Sequence, residues 1–251
     1  MVANLIYRLY EARLERGLKA ADLPKHIGVI VDGNRRWAKQ NPDPSDPYGH
    51  KRGAEKIADL LGWCEETQVE VVTLWMLSTD NFKRSPEEVA TLIDVISEIV
   101  DDLAARKRWS IKAVGALDVL PEPLAAKLAS LPGCPDSKLS VNVAVGYGGR
   151  REIVDAVKGF LSEAASSGQS LLEASAALDA EAIGRHLYTA GQPDPDLLIR
   201  TSGEQRLGGF LLWQSALSEF YFCEAYWPEF RRVDFLRALR DYSLRHRRMG
   251  K

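Results

Sequence analysis

Apolar positions along the chain fall into two alternating patterns. Residues 26–31 form a short β-branched run, the length of a buried strand. Comparable runs at 69–77, 109–114, 138–145, 196–200 and 218–222 predict further strands. Between and around them, helices are predicted over 3–19, 48–68, 85–107, 121–130, 150–165, 170–187 and 233–248, with a basic helical segment at 35–39. Ser85-Pro86-Glu87-Glu88 is a strong start signal: a serine cap, proline at the first position and glutamate at the third. Segment 41–47 is filled with prolines and turn formers, and reads as a mobile flap. Strands alternating with helices predict an α/β fold, one domain whose mostly parallel central sheet is flanked by helices. Residues 1–25 stand apart as an N-terminal amphipathic helix ahead of the domain at 26–251. Ligands of such folds bind at the carboxyl ends of the strands. Polar clusters at Asp32, Ser78 and Arg200 fall there.

Composition narrows the function. The 251 residues suit one large domain, and the formal net charge of −2 provides no general pull towards nucleic acid. An anion site must then be a local cluster of arginines. Cys64, Cys134 and Cys223 lie far apart, with neither metal-ligand spacing nor a disulfide framework, which suits a reduced, cytoplasmic compartment. No apolar run approaches the ~20 residues that span a bilayer, and no secretory signal is evident. The N-terminal helix carries Arg8, Arg13 and Arg16 beside apolar Leu5, Ile6, Leu9 and Leu14. It either packs on the domain or rests on the inner face of a membrane.

Three clusters carry candidate chemistry, each with a bland counterpart. Asp32, at the end of the first strand, precedes Gly33-Asn34-Arg35-Arg36-Trp37. A carboxylate, a glycine turn and arginines at a helix start suit a magnesium-bound diphosphate; a lone strand-end aspartate is more often a helix cap. Ser78-Thr79-Asp80-Asn81 is on its own a good turn. Arg200 and Arg206, six apart after a strand, suit phosphate recognition, and taken alone would read as surface pairs for Glu204 and Glu219. No DDxxD pair or P-loop is present, and Gly146-Tyr147-Gly148-Gly149 lacks dinucleotide-binding spacing.

Together these blocks resemble the signature of the cis-prenyltransferases, the undecaprenyl diphosphate synthase family. The carriers are HIGVIVDGNRRWA at 26–38, Ser78 to Arg84, the Asn142 to Arg150 segment and the run from Asp196 to Glu219, in order and at the family's spacing. The resemblance implies a prenyl-transferring enzyme that uses Mg2+, with isopentenyl diphosphate and an allylic diphosphate as substrates. By the same resemblance Asp32 and Glu219 hold magnesium, and Asp32 with Asn81 carries catalysis. Gly33, Asn34, Arg35, Arg36, Trp37 and His50 meet the allylic diphosphate. Ser78, Thr79, Asp80, Phe82 and Arg84 order substrate, and Arg200, Arg206 and position 208 receive isopentenyl diphosphate. The terminal Arg248-Met249-Gly250 resembles the family's R-x-G, which reaches the partner subunit's site and implies a homodimer. Three positions depart from the pattern: Asp80 replaces glutamate, Phe82 tryptophan and Gly208 serine.

Product length is read at Met76, two residues before Ser78, where long-chain members carry a small residue. A bulky floor there resembles the short-chain actinobacterial members, which make (2Z,6E)-farnesyl diphosphate from geranyl diphosphate. Three alternatives stay open: a long-chain decaprenyl or undecaprenyl product if Met76 moves aside, a non-catalytic partner subunit, and irregular coupling of two allylic diphosphates.

Overall fold

The computed structural model describes residues 2–19, 22–131 and 133–245. Six strands, all parallel, form one sheet in the order β3-β4-β2-β1-β5-β6. They are β1 (His26–Ile30), β2 (Val71–Ser78), β3 (Ser110–Val114), β4 (Ser140–Tyr147), β5 (Leu197–Arg200) and β6 (Glu219–Phe222). The chain starts at the centre with β1, moves outward through β2 on one side, and returns to place β5 on the other. That reversal opens a crevice at the carboxyl end of β1, where an open α/β sheet binds ligands. β1 is buried throughout, as its apolar run requires. Gly28 is needed within it, because a Cβ there would come within 2.2 Å of Leu198.

Helices α3 (His50–Glu66), α4 (Pro86–Ala105), α5 (Glu122–Ala129) and α9 (Arg232–Leu244) contribute to the larger apolar cluster, which includes Val29, Val72, Leu74, Met76 and Leu77 of the sheet. A smaller cluster holds Ile30, Val114, Ala144, Tyr147, Phe210 and Leu211, with Trp75 packed against it. Trp75 stacks on Phe210 at 5.2 Å. Phe210 and Leu211 are therefore core, while Phe220 and Phe222 stack half-exposed on edge strand β6. A buried polar chain is tucked into the sheet as well. Thr73 Oγ1 lies 2.8 Å from His26 Nε2 and accepts from Asn142 Nδ2, while His26 Nδ1 faces the Pro193 carbonyl.

Several boundaries shift for local reasons. β4 continues to Tyr147 because its last residue pairs with Ser78. The helical segments expected over 170–187 are two short helices, α7 (Leu171–Ala177) and α8 (Ala180–Gly184). Ser170 caps the first and Asp179 Oδ1 caps the second at Ala182 N, 2.7 Å, so the chain restarts between them. α6 (Gly149–Ser166) begins one residue earlier than expected, and α9 stops at Leu244, short of the expected 248. Helix α1 (Val2–Gly17) meets α9 through Leu14, which is buried with Val233 and Leu236. Among the described residues no helix is long and apolar enough to cross a membrane.

Candidate active site

The carboxyl ends of β2, β1 and β5 open into a cleft of about 550 Å³. β1 delivers Asp32, Gly33 and the first turn of α2 (Asn34–Gln40). Gly33 adopts φ 106°, a left-handed conformation that favours glycine, and a Cβ there would strike Tyr226. The turn is pinned from β5: Asp32 N donates to Thr201 Oγ1 at 3.0 Å, and that hydroxyl donates to the Asp32 carbonyl at 2.7 Å.

Asp32 Oδ2 accepts from Arg200 Nη2 at 2.8 Å, and its Oδ1 lies 3.4 Å from Arg36. Burial opposes its ionisation, but the hydrogen bond and charge of Arg200, a hydrogen bond with Ser202 and the charge of Arg36 together outweigh burial and hold the carboxyl below its ordinary value. Arg200 is buried and also donates to the Arg206 carbonyl, while Arg206 itself stands exposed at the rim, paired with Glu204. The two arginines do not form a parallel clamp.

β2 ends in a 3-10 turn, Thr79–Lys83. Ser78, Asn81 and Arg84 recur every three residues, the period of that turn, and line the cleft. Thr79, Asp80 and Phe82 fall between and do not line it. Asp80 pairs with Lys83 at 2.6 Å, and Phe82 packs on the larger apolar cluster. Asn81 and Ser78 cap each other: Asn81 Oδ1 accepts from Ser78 N at 2.9 Å. The Asn81 oxygen is thus engaged, and its Nδ2 is the group left to offer the cleft.

His50 and Asn34 line both the cleft and a small apolar pocket behind it, bounded by Ile57, Met76, Leu92, Val95, Ile96 and Ile99. Burial pushes the His50 imidazole down to about 4, with Arg84 adding to the effect. Met76 sits at a register shift between Trp75 and Leu77, so it and Leu77 both join the larger cluster.

Sequence reasoning overlooked several contributors. Glu88 was read only as a helix-start residue; its backbone N–H does bond Ser85 Oγ at 3.3 Å, but its buried carboxylate meets Arg84 at 2.9 Å and Arg35 at 3.4 Å. Glu204 was expected only as a surface partner of Arg200 and Arg206; it pairs with Arg206 and also bridges to Arg36. Trp75 lines the cleft. Under the loop bearing Arg206 and Gly208, buried Glu152 accepts from Tyr147, from Tyr188 N at 3.0 Å and from Gln214 at 3.0 Å. A buried acid in a helix gives a sequence no sign of which loop it will hold.

Besides Thr79, Asp80 and Phe82, two further expected residues, Trp37 and Glu219, are not brought to the cleft. Trp37 turns towards Gly49 and donates to Glu229 at 3.2 Å. Glu219 opens β6, opposite Leu197, at the amino end of the sheet and away from Asp32, and its carboxylate takes Arg245. Arg248 and Gly250 lie outside the described residues. No residue of 41–47 lines the cleft; the segment is irregular, and buried Asp46 ties it to Arg52 N at 2.9 Å. Gly208 has φ 67°, and a Cβ would lie 3.3 Å from Trp75 and 3.4 Å from Arg200, so a serine would be strained there.

The donor set fits magnesium as a diphosphate complex. Among the described residues no group of three acidic, histidine or cysteine side chains could hold a metal alone. Asp32 nevertheless presents an ionised carboxylate to a cleft rich in arginines, and magnesium is commonly held by one or two carboxylates plus substrate phosphates.

Comparison with known proteins agrees with this geometry. The chain is 58% identical over 98% of its length to a (2Z,6E)-farnesyl diphosphate synthase of Thermobifida fusca, covering 97% of that protein. It is 54% identical to a short-chain Z-isoprenyl diphosphate synthase of Mycobacterium leprae, covering 98% of this chain and 96% of that one. Among solved structures it resembles lavandulyl diphosphate synthase from Lavandula x intermedia, in complex with dimethylallyl diphosphate. The TM-score is 0.80 at 31% identity, covering 92% of this chain and all of that one. Residues 30–250 match the family described as putative undecaprenyl diphosphate synthase, and the chain belongs to that family, the cis-prenyltransferases.

Proposed function

We propose that the chain condenses isopentenyl diphosphate with geranyl diphosphate to give (2Z,6E)-farnesyl diphosphate. The supporting observation is the junction at His50 and Met76, where an arginine-lined cleft meets a narrow apolar pocket with the bulky Met76 and Leu92 at its mouth. A cleft for diphosphate opening onto a short apolar dead end suits a short prenyl product. The names of the relatives at 54–58% identity point the same way.

In this reading Arg35, Arg36 and His50, with the turn at Gly33 and Asn34, hold the allylic diphosphate. Arg200 and Arg206 hold isopentenyl diphosphate. Asp32 holds magnesium, which when bound neutralises charge on the diphosphate. The allylic C1–O bond breaks and its electron pair leaves with the diphosphate. The isopentenyl double bond attacks C1, a proton is lost from the adjacent methylene, and the new double bond is Z. Asn81 Nδ2 orients the diphosphate oxygen that takes the proton; its own carbonyl is engaged by Ser78 N and an amide is a poor base. Holding both diphosphates in register makes the reaction effectively intramolecular.

Glu219 lies too far along the sheet to share magnesium with Asp32 of its own chain, so any metal role for it needs a second copy. The homodimer rests on the R-x-G resemblance and on edge strand β6, where half-exposed Phe220 and Phe222 adjoin exposed Leu217. Exposed Leu9 on α1 suits peripheral contact with a membrane.

Asp32→Ala should keep the native circular dichroism spectrum and lose activity by about a hundred- to a thousandfold, the scale of removing one group that stabilises developing charge. Wild-type turnover in that variant would contradict the assignment. Gly208 and the likeness to lavandulyl diphosphate synthase support a second reading, coupling of two allylic diphosphates. Incorporation of labelled isopentenyl diphosphate separates the two.

A further inference from the structure

One carboxylate joins two arginines that serve different parts of the cleft. Arg36 stands on α2, beside Asp32; Arg206 stands on the loop after β5. Glu204 Oε1 accepts from Arg36 Nη1 at 3.0 Å, and its Oε2 accepts from Arg206 Nη1. Arg36 is fixed from behind: its Nη2 donates to Ser202 Oγ at 2.7 Å, and its guanidinium lies over the Tyr226 ring at 5.6 Å. Two anionic oxygens on one centre, each on a different arginine, reproduce the bridging contact that a phosphate group makes.

The backbone is strained to present this carboxylate. Ser202 is buried at φ 80° and Gly203 follows at φ 73°, so two left-handed residues immediately precede Glu204. For a non-glycine residue such as Ser202 that conformation is unfavourable. Backbone bonds from Ser202 N to the Ala225 carbonyl at 2.8 Å and from Gly203 N to the Cys223 carbonyl at 2.9 Å hold the turn, and strain held in this way clusters at functional sites. The ion pairs themselves give little back to the fold. The side chains of Arg36 and Arg206 are 40% and 65% exposed, and exposed pairs contribute little to stability.

We propose that Glu204 is a resident counter-anion of the cleft. It holds Arg36 and Arg206 until a diphosphate displaces it, and returns as inorganic pyrophosphate leaves. It thereby selects diphosphates over weaker anions and hastens product release. The proposal rests on the diphosphate-binding reading of the cleft. The physical reason is competition: a tethered carboxylate acts at high effective concentration. A single-centre anion with little more charge cannot easily displace it, whereas a diphosphate brings more charge and more acceptor oxygens.

Calorimetric titration without magnesium, in excess chelator, tests this with inorganic pyrophosphate and inorganic phosphate as probes. Glu204→Gln and Glu204→Ala should each bind pyrophosphate about tenfold tighter, the scale of releasing two partly exposed pairs. They should gain at least as much for phosphate, and the gain should shrink as salt is raised. Glu204→Asp should remain close to wild type. In turnover, Glu204→Gln should lower KM for the diphosphate substrates and lower kcat as well, because pyrophosphate leaves slowly. Two variants guard against one failing to fold, and circular dichroism checks both. Unchanged or weaker pyrophosphate binding in the folded variants, with wild type binding normally, overturns the role of Glu204 alone. Wild-type protein that binds no pyrophosphate overturns the diphosphate reading, and this proposal with it.

Discussion

The imidazole of His50 lies between the cleft and the apolar pocket, 3.9 Å from Glu88, with neither ring nitrogen hydrogen-bonded among the described residues. Burial lowers its pKa from an ordinary value near 6.5 to about 4. The folded state thus prefers neutral histidine more strongly than the unfolded chain does. Its contribution is fully present above pH about 6.5 and is lost as pH falls towards about 4, since the unfolded chain binds the proton first. The shift corresponds to about 3 kcal/mol at most. Urea midpoints measured from pH 7 to pH 4 should fall steeply for wild type and more gently for His50→Asn. Identical slopes would contradict the assigned burial effect. A residual slope is expected from His26, which burial also shifts downward. At this scale the motif residues were legible through the ordered blocks they stand in, an aspartate before Gly-Asn-Arg-Arg and arginines after a strand, since alone they read as a helix cap and surface pairs. Their partners were not. Glu88 is an ordinary acid in sequence, and only the fold brings it against Arg84 and Arg35; Glu204 was expected beside Arg206, but its second contact, to Arg36, comes from the fold.

Local geometry sorts the candidates within each element. The segment after β2 looked like one continuous substrate loop, but a three-residue period turns only Ser78, Asn81 and Arg84 inward. Turn propensity marks the segment as a turn without selecting its period. The register shift at Met76 works in the same way. Strict alternation would send Met76 and Leu77 to opposite faces, whereas the irregularity puts both in one apolar cluster. Met76 bounds both the cleft and the pocket behind it, so on the proposed function its side chain stands in the way of a growing prenyl tail. Met76→Ala should lengthen the principal product by one or more isoprene units, read by chromatography of the dephosphorylated prenols. An unchanged product would remove Met76 as the floor and move the stop to Leu92 or the α4 side of the pocket. The helix start at Ser85 was well marked by its cap, whereas the bounds of the helical segments within 170–187 were not, because Asp179 lies within an otherwise helical composition.

For the molecule as a whole, sheet order decides what the motifs can do together. Alternating strands and helices announce a parallel sheet, yet they do not say that β2, β1 and β5 are neighbours. That adjacency gathers Asp32, Ser78 and Arg200, far apart in sequence, around one cleft, and sends Glu219 to the amino end of the same sheet. Charge follows the same logic. The chain carries a formal net charge of −2, but Arg35, Arg36, Arg84, Arg200 and Arg206 converge on the cleft against Asp32, Glu88 and Glu204. Net charge therefore concealed a site built for anions. On the proposed function this cleft joins isopentenyl diphosphate to an allylic diphosphate and stops early. The most direct test is product analysis of purified protein with magnesium, labelled isopentenyl diphosphate and, in separate reactions, geranyl and farnesyl diphosphates. A single fifteen-carbon Z product from geranyl diphosphate is the expected result. A ladder reaching fifty carbons, or no incorporation of isopentenyl diphosphate, would contradict it.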